Sequence, residues 1–351
     1  MYDVCLMGTN DDRPTIAVTM GDPGGIGPEV VVKALADPAR RAKARFRIYG
    51  TNGVLMEACD RARIDPFWWR VEFNSERLED AMAQDCVLID YEPPGGRVLY
   101  PRAATNRGGE YSYRFVEDAI TAAEKRHDQP LHADAIVTAP ISKQAWSMAG
   151  RKFPGHTELL ARRFLAKRVA MMFEAPRLRV TLVTMHVPLL DLSHALTIGR
   201  IFDAIDLTYL ALKEAGIYRP RLAVCGLNPH AGENGLLGDE EQRLITPALG
   251  LAQHQGINVS GPFPADTIFN AAIEGRYDAV VAMYHDQGLI PIKLLSRDEA
   301  VNITLGLPTV RTSPDHGTAY DIAGSNKASA GSMEAAIDCA IRMVQARRAA
   351  S

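Results

Sequence analysis

The stretch Ala279–Lys293, AVVAMYHDQGLIPIK, decides how the rest of the chain is read. Ala279-Val280-Val281-Ala282-Met283 has the length and composition of a buried strand. Four polar residues, Tyr284, His285, Asp286 and Gln287, follow at once. Gly288 then allows a turn before an apolar run that leads to Lys293. In open α/β sheets ligands bind just beyond the carboxyl ends of strands, so His285 falls where chemistry is expected. A strand ending in a solvated histidine would read the same way in isolation.

The pattern recurs, however. Leu178–Met185 runs straight into His186, and Arg221–Pro229 runs into His230. Three apolar segments each deliver a histidine at the same end. Neutral imidazole is the commonest protein ligand for zinc, cobalt, nickel and iron. Three such ligands with an open fourth position mark a catalytic metal site, whereas structural zinc is closed by four ligands. The three histidines lie far apart in sequence, so only their shared strand-end position groups them.

The 351 residues suffice for two lobes or for one large domain with a deep cleft. A hydrophobic content of 47% and a charged content of 23% are ordinary for a soluble globular protein. A net charge of −3 argues against nucleic acid or a membrane surface as partner, although a cleft can still gather positive charge for a phosphate. No apolar run approaches the roughly 20 residues that span a bilayer. Residues 1–13, MYDVCLMGTNDDR, lack a basic segment followed by an apolar one and read as an extension ahead of residues 14–351 rather than a secretory signal. The five cysteines, Cys5, Cys59, Cys86, Cys225 and Cys339, show no CxxC spacing, which suits reduced thiols in a cytoplasmic protein.

Read in order, Thr15–Met20 is a first strand, and Gly21-Asp22-Pro23-Gly24-Gly25-Ile26-Gly27-Pro28-Glu29 leads into a helix through about Leu35. This glycine-rich turn either brings backbone N–H groups close to an anion or serves as a tight turn. It matches neither GxGxxG nor the P-loop. Strands follow at Phe46–Gly50, Val87–Asp90 and Ala135–Ala139, with helices at Thr51–Arg63 and from about Gly109 to Arg126. Residues 66–107 are irregular in pattern, with a turn at Pro93-Pro94-Gly95-Gly96. Gly155-His156-Thr157-Glu158 precedes an apolar helix, Leu159–Leu165, with Thr157 as its N-cap or with His156 and Thr157 turned into a cleft. Further helices are expected near Ile198–Gly216, Asp239–Gln253 and Met333–Arg348. Asp266, in the Pro-rich turn Gly261–Thr267, is a candidate helix cap or acid. Val301–Leu305 contains Asn302, and Arg311 and Lys293 are natural donors to phosphate or carboxylate. His127, His132 and His254 read as solvated. Strands and helices alternate, which predicts an α/β/α architecture with a largely parallel sheet, one edge of which lines the site.

Taken together, MGDPGGIGPE, PGHTE, MHVPL, GLNPHAGENG, GPFPADT, YHDQGLIPIK, VNITLGLP and RTSPDHGTAYDIAG resemble, in order, the PdxA family of 4-hydroxythreonine-4-phosphate dehydrogenases. The resemblance spans about Pro14 to Ala349. It implies a fold like that of isocitrate and isopropylmalate dehydrogenases, two α/β/α lobes with a cleft between them. It also implies a homodimer whose sites combine both subunits, and NAD or NADP bound without a Rossmann fingerprint. One divalent metal (zinc, magnesium or cobalt) per site would be held by His186, His230 and His285. Substrate contacts would come from His156, Thr157, Lys293, Asn302 and Arg311, with Lys293 or Asp266 in acid/base roles. The implied reaction is oxidation of 4-phosphooxy-L-threonine at C3 followed by decarboxylation to 3-amino-2-oxopropyl phosphate, a precursor of pyridoxal phosphate. Related members act on D-threonate or D-erythronate 4-phosphate, and the Ile290-Pro291-Ile292-Lys293 segment leans towards that branch. On residues alone, the competing class is a metal-dependent hydrolase, because a three-histidine site also activates water.

Overall fold

The computed structural model describes residues 12–93, 96, 98–296 and 298–350, so the extension before Asp12 and part of the turn at 93–96 lie outside it. Twelve strands form its sheet: β1 Thr15–Thr19, β2 Arg45–Gly50, β3 Trp69–Glu72, β4 Cys86–Asp90, β5 Ala135–Thr138, β6 Ala170–Ala175, β7 Leu178–Leu182, β8 Leu222–Cys225, β9 Val259–Phe263, β10 Ala279–Ala282, β11 Val301–Leu305 and β12 Val310–Pro314. Their spatial order is β3-β4-β2-β1-β5-β12-β11-β6-β7-β10-β8-β9. Pairing is parallel from β3 to β12 and again from β7 to β9. Between these blocks β12–β11, β11–β6 and β6–β7 are all antiparallel.

Three successive reversals leave the two parallel blocks running in opposite directions. The expectation that one edge of the sheet lines the site therefore fails. Carboxyl ends of the two blocks point to opposite edges, and a cleft shared by both must form across the middle of the sheet.

Apolar alternation explains the layers. In β10, Val281 packs with Ile201 and Ile245 on one face, while Val280 packs with Leu289 and Phe269 on the other. Helices Ile198–Glu214 and Thr246–His254 cover the first face, and helices Ala265–Ile273 and His285–Leu295 cover the second. The other half has one continuous core in which Ile16, Phe46, Leu88 and Phe115 meet Ile303, Val310 and Ile337 from the end of the chain. No helix among the described residues is long and apolar enough to cross a membrane.

Several local expectations need correction. The strands β3, β6, β9 and β12 were not expected, and β9 takes up residues 261–263 of what reads as a Pro-rich turn. In β12 the fully buried sequence VRTSP is mostly polar, which hides it from any hydrophobic pattern. Gly288 opens no turn, because His285–Leu295 is a continuous helix with Pro291 inside it. Packing overrides propensity there. A Cβ at Gly288 would lie 2.7 Å from both Leu182 Cδ2 and Val180 Cγ1, so glycine lets the helix approach β7. The helix expected at Leu159 starts at His156, its N-cap is Gly155, and Thr157 caps nothing. Asp266 lies within the first turn of a helix capped by Pro264, with no side-chain capping bond. His132 is not solvated: Nδ1 meets Lys125 O at 2.7 Å and Nε2 meets Asp134 at 3.3 Å.

The contact at Gly288 gives a direct test. Gly288→Val should cost about 1–3 kcal/mol in urea unfolding, the usual range for overpacking a close interface. Unchanged stability would show that the helix can move off β7 freely.

Candidate functional site

The largest cluster of chemically capable side chains lines a cleft of about 440 Å³ over the β5–β12–β11–β6 junction. Of the residues singled out in sequence, His156, Thr157, His186, His285, Lys293, Asn302 and Arg311 all line it. They arrive from different elements. Arg311 and Asn302 project from neighbouring strands β12 and β11. His156 and Thr157 open the helix His156–Arg163, whose amino end attracts anions. His285 opens the helix His285–Leu295, and Lys293 sits about two turns further along it.

Arg311 dominates the electrostatics. It is 2% exposed, and its guanidinium donates to Thr304 Oγ1 at 2.9 Å and Thr138 Oγ1 at 2.6 Å, while Nε has no partner. Burial pushes its pKa down to about 10, partly opposed by Glu158. A buried cation held only by neutral hydroxyls is costly unless an anion completes it. His156 stands nearby, edge-on to Trp146 with ring centroids 5.6 Å apart, and its Nε2 is buried without a partner. Burial, then the charges of Arg311 and Lys143, hold its pKa well below the ordinary value, so the ring is neutral. Asn302 Oδ1 is also buried and unpartnered. With His316 Nε2, four buried polar atoms without partners belong to residues lining one cleft, a set that suits an anion carrying hydroxyl or amino groups.

A second group of residues faces them. The rings of His186 and His285 lie 5.7 Å apart between centroids, a separation two imidazoles can have on one cation. His285 Nδ1 meets Asp286 Oδ1 at 2.7 Å, which orients the ring and leaves Nε2 free. Burial, with Lys143 and His285 adding to it, lowers the pKa of His186, so its lone pair is available. Lys293 Nζ lies 3.7 Å from Asp315, whose carboxyl is pushed up by burial against the pull of Lys293.

His230 and Asp266 do not enter this cleft, and both are exposed. Among the described residues no group of three His, Cys, Asp or Glu side chains is placed to hold a metal. One chain thus supplies two fitting imidazoles and lacks the third. His230 occupies an unusual turn in which His230, Ala231, Gly232, Glu233 and Asn234 all have positive φ, from 45° to 80°. Left-handed backbone at non-glycine residues costs about 1–2 kcal/mol each. The turn is anchored by Glu241, 3% exposed, which accepts from the N–H groups of Leu227 and Asn228 at 2.7 Å each and from Asn228 Nδ2 at 3.0 Å. Strain held this firmly is typical of functional loops.

Sequence reasoning placed Lys143 at the carboxyl end of a strand without giving it a role, and passed over Thr138, Asp315 and His316; all four line the cleft. The available signal was position: Lys143 follows the carboxyl end of β5, and Asp315 and His316 follow that of β12.

Comparisons with known proteins agree on one relationship. The profile of a family described as "Pyridoxal phosphate biosynthetic protein PdxA" matches residues 42–340. A protein of Geobacter metallireducens named 4-hydroxythreonine-4-phosphate dehydrogenase is 44% identical, the match covering 95% of this chain and 97% of that one. A D-threonate 4-phosphate dehydrogenase of Salmonella typhimurium is 42% identical, covering 95% and 99% respectively. The crystal structure of a 4-hydroxythreonine-4-phosphate dehydrogenase from Klebsiella pneumoniae superposes with a TM-score of 0.82 at 39% identity, covering 95% of this chain and all of the other.

Two tests follow from the geometry. Glu241→Ala strands three donors and should destabilise the protein by about 2–4 kcal/mol in urea unfolding; an unaffected midpoint would mean the His230 turn stands without that anchor. For His156, the native ring stays neutral while the unfolded one protonates below about pH 6.5. The unfolded state then binds more protons, so this group's contribution is complete above that pH and is lost as pH falls through it. Wild type should therefore lose more stability between pH 7.5 and 5 than His156→Asn, and parallel pH profiles would refute the burial argument.

Proposed function

The chain belongs to the PdxA family of pyridoxal phosphate biosynthetic proteins, and from that premise we propose that it oxidises the C3 hydroxyl of 4-phosphooxy-L-threonine with NAD or NADP. The β-keto acid formed then loses CO2 to give 3-amino-2-oxopropyl phosphate. The observation that carries the reading is the buried Arg311, hydrogen-bonded to the Thr304 and Thr138 hydroxyls, lining one cleft with the paired imidazoles of His186 and His285.

The roles follow from chemistry. Arg311, His156, Thr157 and the amino end of their helix hold the phosphate, with Lys143 adding charge at the rim. Asn302 Oδ1 accepts a hydrogen bond from the C2 substituent. Lys293 Nζ exchanges the proton of the C3 hydroxyl and later returns one to the carbon left by CO2, with Asp315, 3.7 Å away, orienting it. His186 and His285, with a His230 brought by a second copy, would hold a divalent cation (zinc, magnesium or cobalt) that would polarise the C3 oxygen. The nicotinamide cofactor supplies the hydride acceptor.

The missing third imidazole supports a homodimer with a shared site. Leu189, Leu190, Leu236, Ile290 and Leu294 are 59–91% exposed and lie on the segments that follow His186, His230 and His285. Large apolar side chains gathered there suit burial against a second copy, which would bring its own His230 and Asp266 to the cleft. A cytoplasmic location fits this reading.

A second substrate is favoured by a specific finding, the 42% identity to a D-threonate 4-phosphate dehydrogenase. Asn302 Oδ1 accepts from a C2 hydroxyl as readily as from an amine, so D-threonate or D-erythronate 4-phosphate would fit the same residues. The hydrolase reading leaves the dehydrogenase relatives unexplained.

The test is NADH or NADPH formation at 340 nm with added divalent metal and each of the three substrates. Reduction with at least one is expected; none with any of them would reopen the hydrolase class. His230→Ala should lose turnover at least a hundredfold while its circular dichroism stays native, and wild-type rates in that variant or in chelated enzyme would refute the metal assignment.

A further inference from the structure

Beyond the last rungs of the sheet, a chain of buried hydrogen bonds joins the three segments that carry His186, His285 and His230. The strands β7, β10 and β8 lie side by side, and their ladders end at Ala282–Leu182 on one side of β10 and at Val281–Val224 on the other. On the β7 side, Met283 O accepts from the Thr184 N–H at 3.2 Å and from Thr184 Oγ1 at 2.8 Å. On the β8 side a side chain takes over. Gln287 Oε1 accepts from the Met283 N–H at 2.6 Å, and Gln287 Nε2 donates to Gly226 O at 2.8 Å. Both Thr184 and Gln287 are buried.

The amide of Gln287 thus stands where the next rung between β10 and β8 would be. Only one orientation of it satisfies both partners, because an N–H must meet its oxygen and a carbonyl its nitrogen. Gln287 is the third residue of the helix His285–Leu295, and it reaches back to the residue before the N-cap Tyr284. That is a capping box moved by one residue, and it fixes the angle at which the helix, with His285 at its first position, leaves β10. At the far end of the amide, Gly226 packs against the His230 turn: a Cβ there would come 2.8 Å from Ala231 Cα and 2.9 Å from Ala231 Cβ. The next two residues, Leu227 and Asn228, are those whose N–H groups Glu241 holds. One side chain therefore touches both the origin of His285 and the base of the His230 turn.

We propose that Gln287 is a positioning residue for the metal-binding imidazoles: its amide sets the spacing between the strand end that presents His285 and the one that presents His230. An aliphatic side chain would seal the core at this point, whereas a primary amide bridging two backbone groups also fixes distance and direction. In a homodimer with shared sites the consequence reaches further. His285 serves the cleft of its own chain and His230 that of a second copy, so the amide lies on the path between the two sites. This assignment rests on the metal reading above.

The experiment is titration of the metal-free full chain with cobalt(II) against a competing chelator, followed by calorimetry and by the visible spectrum of the bound ion. Gln287→Leu removes both hydrogen bonds, and Gln287→Glu keeps the acceptor for Met283. Cobalt should bind Gln287→Leu roughly ten- to a hundredfold more weakly, the usual cost of removing a group that orients a metal ligand, and with an altered spectrum. Gln287→Glu should recover part of the loss. The control is Tyr91→Phe, which removes a buried hydroxyl bonded to Asp118 in the other half of the sheet and should bind cobalt like wild type. Wild-type affinity and spectrum in Gln287→Leu would overturn the assignment and leave the metal reading intact. So would equal weakening in Tyr91→Phe, which would mark a general loss of stability. If the wild type binds no cobalt, or His285→Ala binds it equally well, the metal reading fails and the positioning role falls with it.

Discussion

The reversal of strand direction across β12, β11, β6 and β7 is the constraint on which the rest depends. Each parallel block needs helices on both faces, because its central strands, such as β1 and β10, are buried and largely apolar. Joining two such blocks in opposite senses makes a continuous sheet without a common carboxyl edge. Ligand groups from the two halves therefore meet over the antiparallel seam. Asn302 and Arg311 belong to the seam itself, while His186 and His285 reach it from the second block and Lys143 and His156 from the first.

That arrangement explains why so many polar atoms are left unsatisfied. Within a sheet, backbone groups pair with one another and only side chains remain available. At the seam those side chains are Arg, Asn and Thr rather than aliphatic. Burial lowers the pKa of Arg311 and of His156 alike; Glu158 opposes the shift at Arg311, whereas the charges of Arg311 and Lys143 deepen it at His156. The site is preorganised for a charge that arrives with the ligand. The His230 turn is built differently, from a strained left-handed backbone pinned by Glu241, and within one chain it stays outside the cleft.

Much of this was legible in the sequence, for identifiable reasons. β10 is a run of small apolar residues closed by four polar ones, so both the strand and the placement of His285 beyond it could be read. The same logic placed His186 and His230 beyond β7 and β8. What could not be read was whatever departs from periodicity. β12 is buried but polar, and so looked like a loop. Gly288 looked like a turn, whereas the close packing against Val180 and Leu182 makes glycine the residue that lets the helix form there. Direction of pairing was also invisible, because no local pattern tells a strand which neighbour it will meet. His230 and Asp266 could be picked out as chemistry-bearing, yet one chain does not bring them to the cleft.

The buried guanidinium at Arg311 has one more consequence. A protein that buries a guanidinium against neutral hydroxyls is less stable than its core alone would make it, and any anion that binds there restores part of the difference by mass action. Its melting temperature should then belong partly to the solvent. Phosphate-buffered preparations would look sturdier than those in an organic zwitterion, and comparisons between laboratories would measure the buffer as much as the polypeptide.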